Sequence, residues 1–70
     1  MNGAELLRKL KRIARQRGLE LRVVTRQGKG SHSLLLLGDR RTILKDPKKE
    51  ISPGLLAAML ADLGLTKDEL

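Results

Sequence analysis

Four consecutive leucines, Leu34 to Leu37, are the feature that most restricts the folds open to this chain. The run follows a glycine-containing stretch and ends at Gly38-Asp39, a pair typical of turns, so it has the length of one strand. Side chains of a strand alternate between its two faces, and an uninterrupted apolar run therefore needs apolar cover on both of them. We expect a central strand of a sheet, with Leu35 and Leu37 on one face and Leu34 and Leu36 on the other.

The segments around the leucines predict two helices and two further strands. Asn2 is a good helix cap and Gly18 a good helix end, and Ser52-Pro53 and Gly64 delimit a second helix in the same way. Residues 19–27, 31–37 and 41–45 have strand-like composition, and a last helical turn is predicted at 66–69. The predicted fold is α+β in the order α-β-β-β-α: one domain over residues 1–70, with a three-stranded antiparallel sheet and both helices on one face.

Two helices on one face leave the other face of the central strand without helical cover. By strand parity that second face carries His32, Leu34 and Leu36. Exposed leucines beside a histidine predict a surface for a partner protein or for a second copy of the chain.

The charge of the chain is strongly positive. Lys and Arg number 15 against 8 Asp and Glu, for a net charge of +7, and the pI is about 10.6. Such a field attracts polyanions, which favours nucleic acid as a partner over a merely solubilising basic surface. The first helix carries much of this charge on one face, which suits either a phosphate backbone or solvent.

Composition also excludes several classes of protein and of site. The chain has no cysteine and no aromatic residue, so disulfides, thiolate metal sites and base stacking on aromatic rings are all excluded. No apolar run approaches the length of a membrane span or of a signal peptide. We therefore expect a soluble, cytoplasmic protein without a membrane partner.

The loop Gly28-Lys29-Gly30-Ser31-His32 is the strongest candidate for a site with chemistry. Glycines allow the backbone to approach a phosphate closely, and His32, the only histidine, can transfer a proton near neutral pH. A lone histidine beside a glycine turn is nevertheless more often structural or simply exposed than catalytic. The loop alone therefore leaves both roles open.

Three pieces of the sequence resemble HicA-type toxins of toxin–antitoxin pairs. They are the loop 28–32, the segment 47–51 before the second helix, and a closing region with Gly54-Leu55, Met59-Leu60 and Gly64-Leu65. With the α-β-β-β-α order, the similarity spans nearly all of residues 3–70. It implies a fold like that of double-stranded RNA-binding domains, an RNA-cleaving activity, a HicB-type antitoxin as partner, and His32 as the catalytic residue. Many relatives carry another histidine before the later proline, where this chain has Asp46.

Cleavage of RNA by a single histidine is chemically feasible. His32 would accept the proton of the 2′-OH, which attacks the neighbouring phosphorus to leave a 2′,3′-cyclic phosphate. The residues predicted to bind RNA phosphates are Lys29, Gly30, Ser31, Arg41, Lys45, Lys48 and Lys49. No clustered carboxylates or histidines suggest a metal, so we expect cleavage of mRNA without metal or other cofactor. The alternative is a non-catalytic RNA-binding module on the same scaffold; DNA binding is less favoured, because neither helix resembles a recognition helix.

Overall fold

The computed structural model describes residues 1–25 and 32–70 and confirms the predicted α+β fold. The order α-β-β-β-α is that of double-stranded RNA-binding domains. Its elements are α1 (Gly3–Arg17), β1 (Leu21–Thr25), β2 (Ser33–Leu37), β3 (Arg40–Leu44), α2 (Pro53–Asp62) and a closing 3₁₀ turn (Lys67–Glu69). Neither helix is long and apolar enough to cross a bilayer, as judged over these two ranges.

Helix α1 begins and ends at the residues that its sequence predicts. The side chain of Asn2 accepts a hydrogen bond from the backbone N–H of Glu5 at 2.9 Å, which satisfies one of the free donors of the first turn. Gly18 has a φ of 65°, the left-handed conformation that glycine adopts at low cost. The N–H of Leu19 then bonds to the carbonyl of Ala14 at 2.8 Å, so the chain leaves the helix before β1 starts at Leu21.

The sheet is an antiparallel meander with β2 in the centre. Leu35 lies between Val23 of β1 and Thr42 of β3, and Leu37 lies between Leu21 and Arg40. Helix α1 packs over the β1 side of the sheet and α2 over the β3 side, on the same face. This arrangement confirms that both helices cover one face of the leucine strand.

The core lies between that face and the helices and consists of aliphatic side chains. Leu6, Leu10, Leu35 and Leu60 are the largest side chains that are completely buried. Thr42 is the buried polar residue, and its hydroxyl donates a hydrogen bond to the carboxylate of Asp62 at 2.9 Å, which offsets the cost of burying it. The other buried apolar residues are Ile13, Ala14, Leu37, Leu44, Ile51, Met59, Leu63 and Leu65.

The opposite face of the sheet, here called the outer face, carries the other two leucines of the run. Leu34 lies between Val24 and Ile43, and Leu36 lies between two arginines, Arg22 and Arg41. Both leucines are half-buried, whereas Ile43 is 60% exposed. Neighbouring side chains on the sheet therefore provide part of the cover that the leucine run requires, with arginine stems able to lie along apolar surface.

The loop after β3 is anchored to the start of α1. The N–H of Ala4 bonds to the carbonyl of Pro47 at 3.1 Å, and the N–H of Ile51 bonds to the carbonyl of Met1 at 2.9 Å. The amino group of Met1 also donates a hydrogen bond to the carboxylate of Glu50, which raises the pKa of that amino group. The loop is thus held at both ends against the first helix.

Gly3 permits the close approach of that loop. A Cβ at this position would lie 2.7 Å from the Cα of Pro47 and 3.0 Å from a methyl group of Leu44. We expect Gly3→Ala to lower the free energy of unfolding by about 1–3 kcal/mol, because the backbone of the loop must move. Urea denaturation followed by circular dichroism measures this change.

Gly54→Ala is the matched control for this prediction. Gly54 is also in the first turn of a helix, but a Cβ there meets no atom within 4 Å. Alanine at this position should leave the stability unchanged or raise it by up to about 1 kcal/mol. Equal stability of the two variants would show that the contact between Gly3 and Pro47 does not limit side-chain size.

Candidate nucleic-acid interface

His32 is exposed and immediately precedes the first residue of β2. Strand parity puts it in step with Leu34 and Leu36, toward the outer face of the sheet. At this end of the central strand it has the last residues of β1 on one side and those of β3 on the other. The end of the central strand therefore holds the histidine where a ligand can reach it.

Among the described residues predicted to bind phosphate, Lys45 is the one that the sheet brings nearest to His32. The register pairs Ser33 with Leu44, so the next positions outward on the two strands are His32 and Lys45. Both side chains are exposed, and Lys45 is in step with Ile43 of the outer face. An imidazole and an ammonium group thus lie at the same end of the sheet.

Arg41 shares the outer face but lies at the opposite end of β3. It pairs with Leu36, four residues from His32 along β2. At about 3.3 Å per residue, this separation is roughly 13 Å. Arg41 is therefore placed nearer to a neighbouring phosphate than to the one beside His32, and one extended RNA strand could contact both residues.

Lys48 and Lys49 lie on the anchored loop, and both are exposed. The side-chain carboxylate of Asp46 accepts a hydrogen bond from the N–H of Lys48 at 2.9 Å. The backbone carbonyl of Asp46 accepts another from the N–H of Lys49 at 3.1 Å. Such turns are typical of aspartate. Asp46 therefore shapes the loop that presents these two lysines.

Three of the predicted site residues lie outside the described residues. They are Lys29, Gly30 and Ser31, which belong to the predicted glycine turn. The described part of the candidate site thus consists of His32, Lys45 and the loop lysines, with Arg41 further along the sheet.

The basic face of α1 is partly engaged by the end of the chain, which periodicity did not indicate. Arg12 donates a hydrogen bond to the carbonyl of Leu70 at 2.7 Å, and Arg17 forms an ion pair with Glu69. Other basic residues of this helix remain exposed, among them Arg8, Lys11 and Arg15. The 3₁₀ turn therefore occupies part of the surface that sequence analysis considered for phosphate.

Ile43 and Leu55 are exposed, by 60% and 39% respectively. The sequence did not predict either of them as a surface residue. Ile43 is one of three consecutive non-basic residues in a short strand, and only its pairing with Leu34 shows that it faces away from the helices. Leu55 has the four-residue spacing of an apolar stripe with Met59 and Leu63, which predicts burial, and its exposure contradicts that prediction. No signal in the sequence would have identified the two together.

Neither a metal site nor a solvent-excluded catalytic cluster is apparent over residues 1–25 and 32–70. No group of three or more histidine, aspartate or glutamate side chains there is placed to hold a metal ion. The groups available to a ligand are an exposed imidazole and several exposed ammonium and guanidinium groups. These groups suit a polyanion, and one of them can transfer a proton.

Comparison with known proteins identifies one family. A family model described as "HicA toxin of bacterial toxin-antitoxin" matches residues 7–65, which include all three strands and α2. No curated protein and no solved structure matches the chain.

Proposed function

Because the chain belongs to the HicA toxin family and is thus the toxin component of a toxin–antitoxin pair, we propose that it cleaves mRNA without a metal ion. The observation that carries this proposal is the position of His32, exposed at the end of the central strand beside Lys45. The proposed neutralising partner is a HicB-type antitoxin.

His32 acts as the general base in this proposal. RNA supplies its own nucleophile, so the protein needs only to remove the proton of the 2′-OH and to stabilise the charge that develops on the phosphate. The 2′ oxygen forms a bond to phosphorus, the bond to the 5′ oxygen breaks, and that oxygen takes a proton from water. The products are a 2′,3′-cyclic phosphate and a 5′-OH end.

The cations around His32 bind the phosphates. Lys45, which occupies the adjacent position of the sheet, stabilises the phosphate that is attacked, together with Lys29 and the backbone at Gly30 and Ser31. The other predicted cations, Arg41, Lys48 and Lys49, hold phosphates further along the RNA. The distance of Arg41 from His32 supports this division.

We propose no second protein group as the general acid that protonates the leaving 5′ oxygen. Asp46, at the position where many relatives have histidine, uses its carboxylate in a turn. A base without a matched acid predicts slow turnover, since one such group contributes about 10²–10⁴-fold to a rate. Slow cleavage suits a toxin whose targets are long-lived.

Incubation of the purified protein with a mixed-sequence RNA in EDTA tests the proposal. We expect fragments with 2′,3′-cyclic phosphate ends, identified by mass spectrometry, at the same rate with and without added Mg²⁺. Binding of RNA without any cleavage, under either condition, would contradict the enzyme proposal and favour an RNA-binding module that contacts phosphates and 2′-OH groups.

Lys45→Gln tests the role assigned to the ammonium group beside His32. Loss of one phosphate contact should weaken RNA binding uniformly across sequences and lower the slope of log K against log salt by about 1. Fluorescence anisotropy with a short labelled RNA over a salt series measures both. Lys67→Gln is the control, because it removes the same charge from the 3₁₀ turn. Equal salt slopes for the two variants would show that Lys45 does not contact the RNA.

A further inference from the structure

A groove runs along the free edge of β3. Its volume is about 620 Å³. It is lined by Leu34 and Ile43 of the outer face and also by Thr42 and Met59, which lie on the helix side. Because residues from both faces of the sheet line the groove, it lies along the edge of the sheet, and α2 forms one of its walls.

The apolar lining of this β3-edge groove is unusually accessible for such a charged chain. Ile43 is 60% exposed and Leu55 is 39% exposed. The wall formed by α2 continues through Ala58, and Asp62 is the single charged residue of that helix. Accessible apolar side chains that adjoin one another mark a surface for another protein.

The backbone of β3 offers hydrogen bonds along the same groove. β3 is an edge strand, paired with β2 on one side only. Within the two described ranges, no backbone hydrogen bond joins residues 40–44 to any element other than β2. An open strand edge accepts another strand, whose alternate side chains then enter the neighbouring pockets.

The charges that line the groove indicate the chemistry of such a strand. Arg41 and Lys45 are exposed within it, two residues to either side of Ile43. The carboxylate of Asp62 is already hydrogen-bonded by the hydroxyl of Thr42. A strand paired with β3 would present acidic residues to Arg41 and Lys45 and an apolar residue to Ile43 between them, all on the outer face. Apolar residues at its intervening positions would lie on the other face, toward Leu55 of α2.

We propose that the antitoxin inserts such a segment as a fourth strand beside β3. This inference rests on the proposed function, which supplies the antitoxin as partner and assigns Arg41 and Lys45 to RNA. A strand in the groove covers both cations, so antitoxin and RNA compete for the same edge of the molecule. The antitoxin would then weaken RNA binding through these cations, in addition to any direct cover of His32.

Two apolar-to-glutamate changes on the same cross-strand row test the inference. Ile43 and Val24 both flank Leu34, but Val24 lies on β1, at the opposite edge of the sheet, and is 41% exposed. Ile43→Glu should weaken the affinity for a HicB-type antitoxin that binds the wild type by at least about thirtyfold, the effect of one central interface residue. Val24→Glu should leave it within a few fold. Isothermal titration calorimetry measures both, with thermal melts to show that each variant folds.

Leu55→Glu, on the α2 wall, replaces Ile43→Glu if the latter unfolds, and the same loss is expected. Amide hydrogen exchange gives an independent readout, since strand addition should protect residues 40–45 on complex formation and leave residues 21–25 unchanged. Protection of residues 21–25 in place of 40–45 would overturn the docking site, and so would wild-type affinity of both Ile43→Glu and Leu55→Glu. RNA cleavage by the wild type would still support the toxin activity in either case. Self-association of the chain through β3 would overturn the antitoxin as occupant. Absence of any binding by the wild type would overturn the antitoxin pairing itself.

Discussion

Replacement of His32 by alanine is expected to lower the rate of RNA cleavage by about 10²–10⁴-fold, the range for loss of one general base. The histidine is exposed at the end of β2, so its removal leaves no cavity and should not change the stability of the domain. RNA binding should persist, because the cations to which we assign phosphate binding are untouched. Initial cleavage rates and RNA affinities of the two proteins, measured side by side, test this expectation.

Thr25→Ala is the matched control for His32→Ala. Thr25 is exposed, and it pairs with Ser33, the residue after His32, so the change also truncates an exposed side chain at the same end of the sheet. It should cleave RNA at the wild-type rate. Cleavage by His32→Ala at that same rate would assign the activity to other residues or to a contaminating nuclease. Loss of RNA binding by His32→Ala would indicate a binding role rather than a chemical one.

The second large effect is expected in the leucine run. Leu35 is fully buried between the sheet and both helices, so Leu35→Ala removes its transfer free energy and leaves a cavity. Substitutions of this kind cost about 2–5 kcal/mol. A domain of this size has roughly 3.5–10 kcal/mol in total at 0.05–0.15 kcal/mol per residue. We therefore expect Leu35→Ala to lose a large fraction of the free energy of unfolding.

Leu36→Ala makes the same chemical change one residue further along the chain. Leu36 is half-buried on the outer face between Arg22 and Arg41, where solvent fills the space that the side chain leaves. The expected cost is about 1 kcal/mol, the transfer term for partial burial without a cavity. Urea midpoints of the two variants compare them directly. Similar losses of stability would mean that the outer face is buried in the protein in solution, for instance by a second copy.

The helices were predictable because their ends depend on local chemistry. Asn2 and Ser52 cap the helices through their own side chains, and Gly18 and Gly64 adopt positive φ values of 65° and 74°. Each of these features acts within one turn of the backbone, which a sequence displays completely. The strands were predicted in the correct order, but β1 and β2 begin two residues later than predicted and β3 begins and ends one residue earlier. The start of a strand depends on where its partner strand lies, which is not a local property of the sequence.

The candidate site was predictable only in part. His32 was evident as the single histidine of the chain, and the family match confirms the resemblance on which its selection depended. That Lys45 rather than Arg41 lies beside it follows from the register of β2 and β3, which is a property of the paired strands. The engagement of Arg12 and Arg17 by the last residues of the chain joins segments more than 50 positions apart, which no periodicity reveals.

The element order, the two helix caps, the aliphatic core and the strongly positive charge could all be read from the sequence, because each depends on composition or on neighbours along the chain. The folded arrangement was needed to show which cations accompany His32, which leucines are buried and where a strand edge is open. Those features depend on register and on which face the helices cover, and both are set by contacts between distant segments. The four leucines alternate between the two faces of β2, and Leu35 and Leu37 are buried because α1 and α2 pack on the face that carries them.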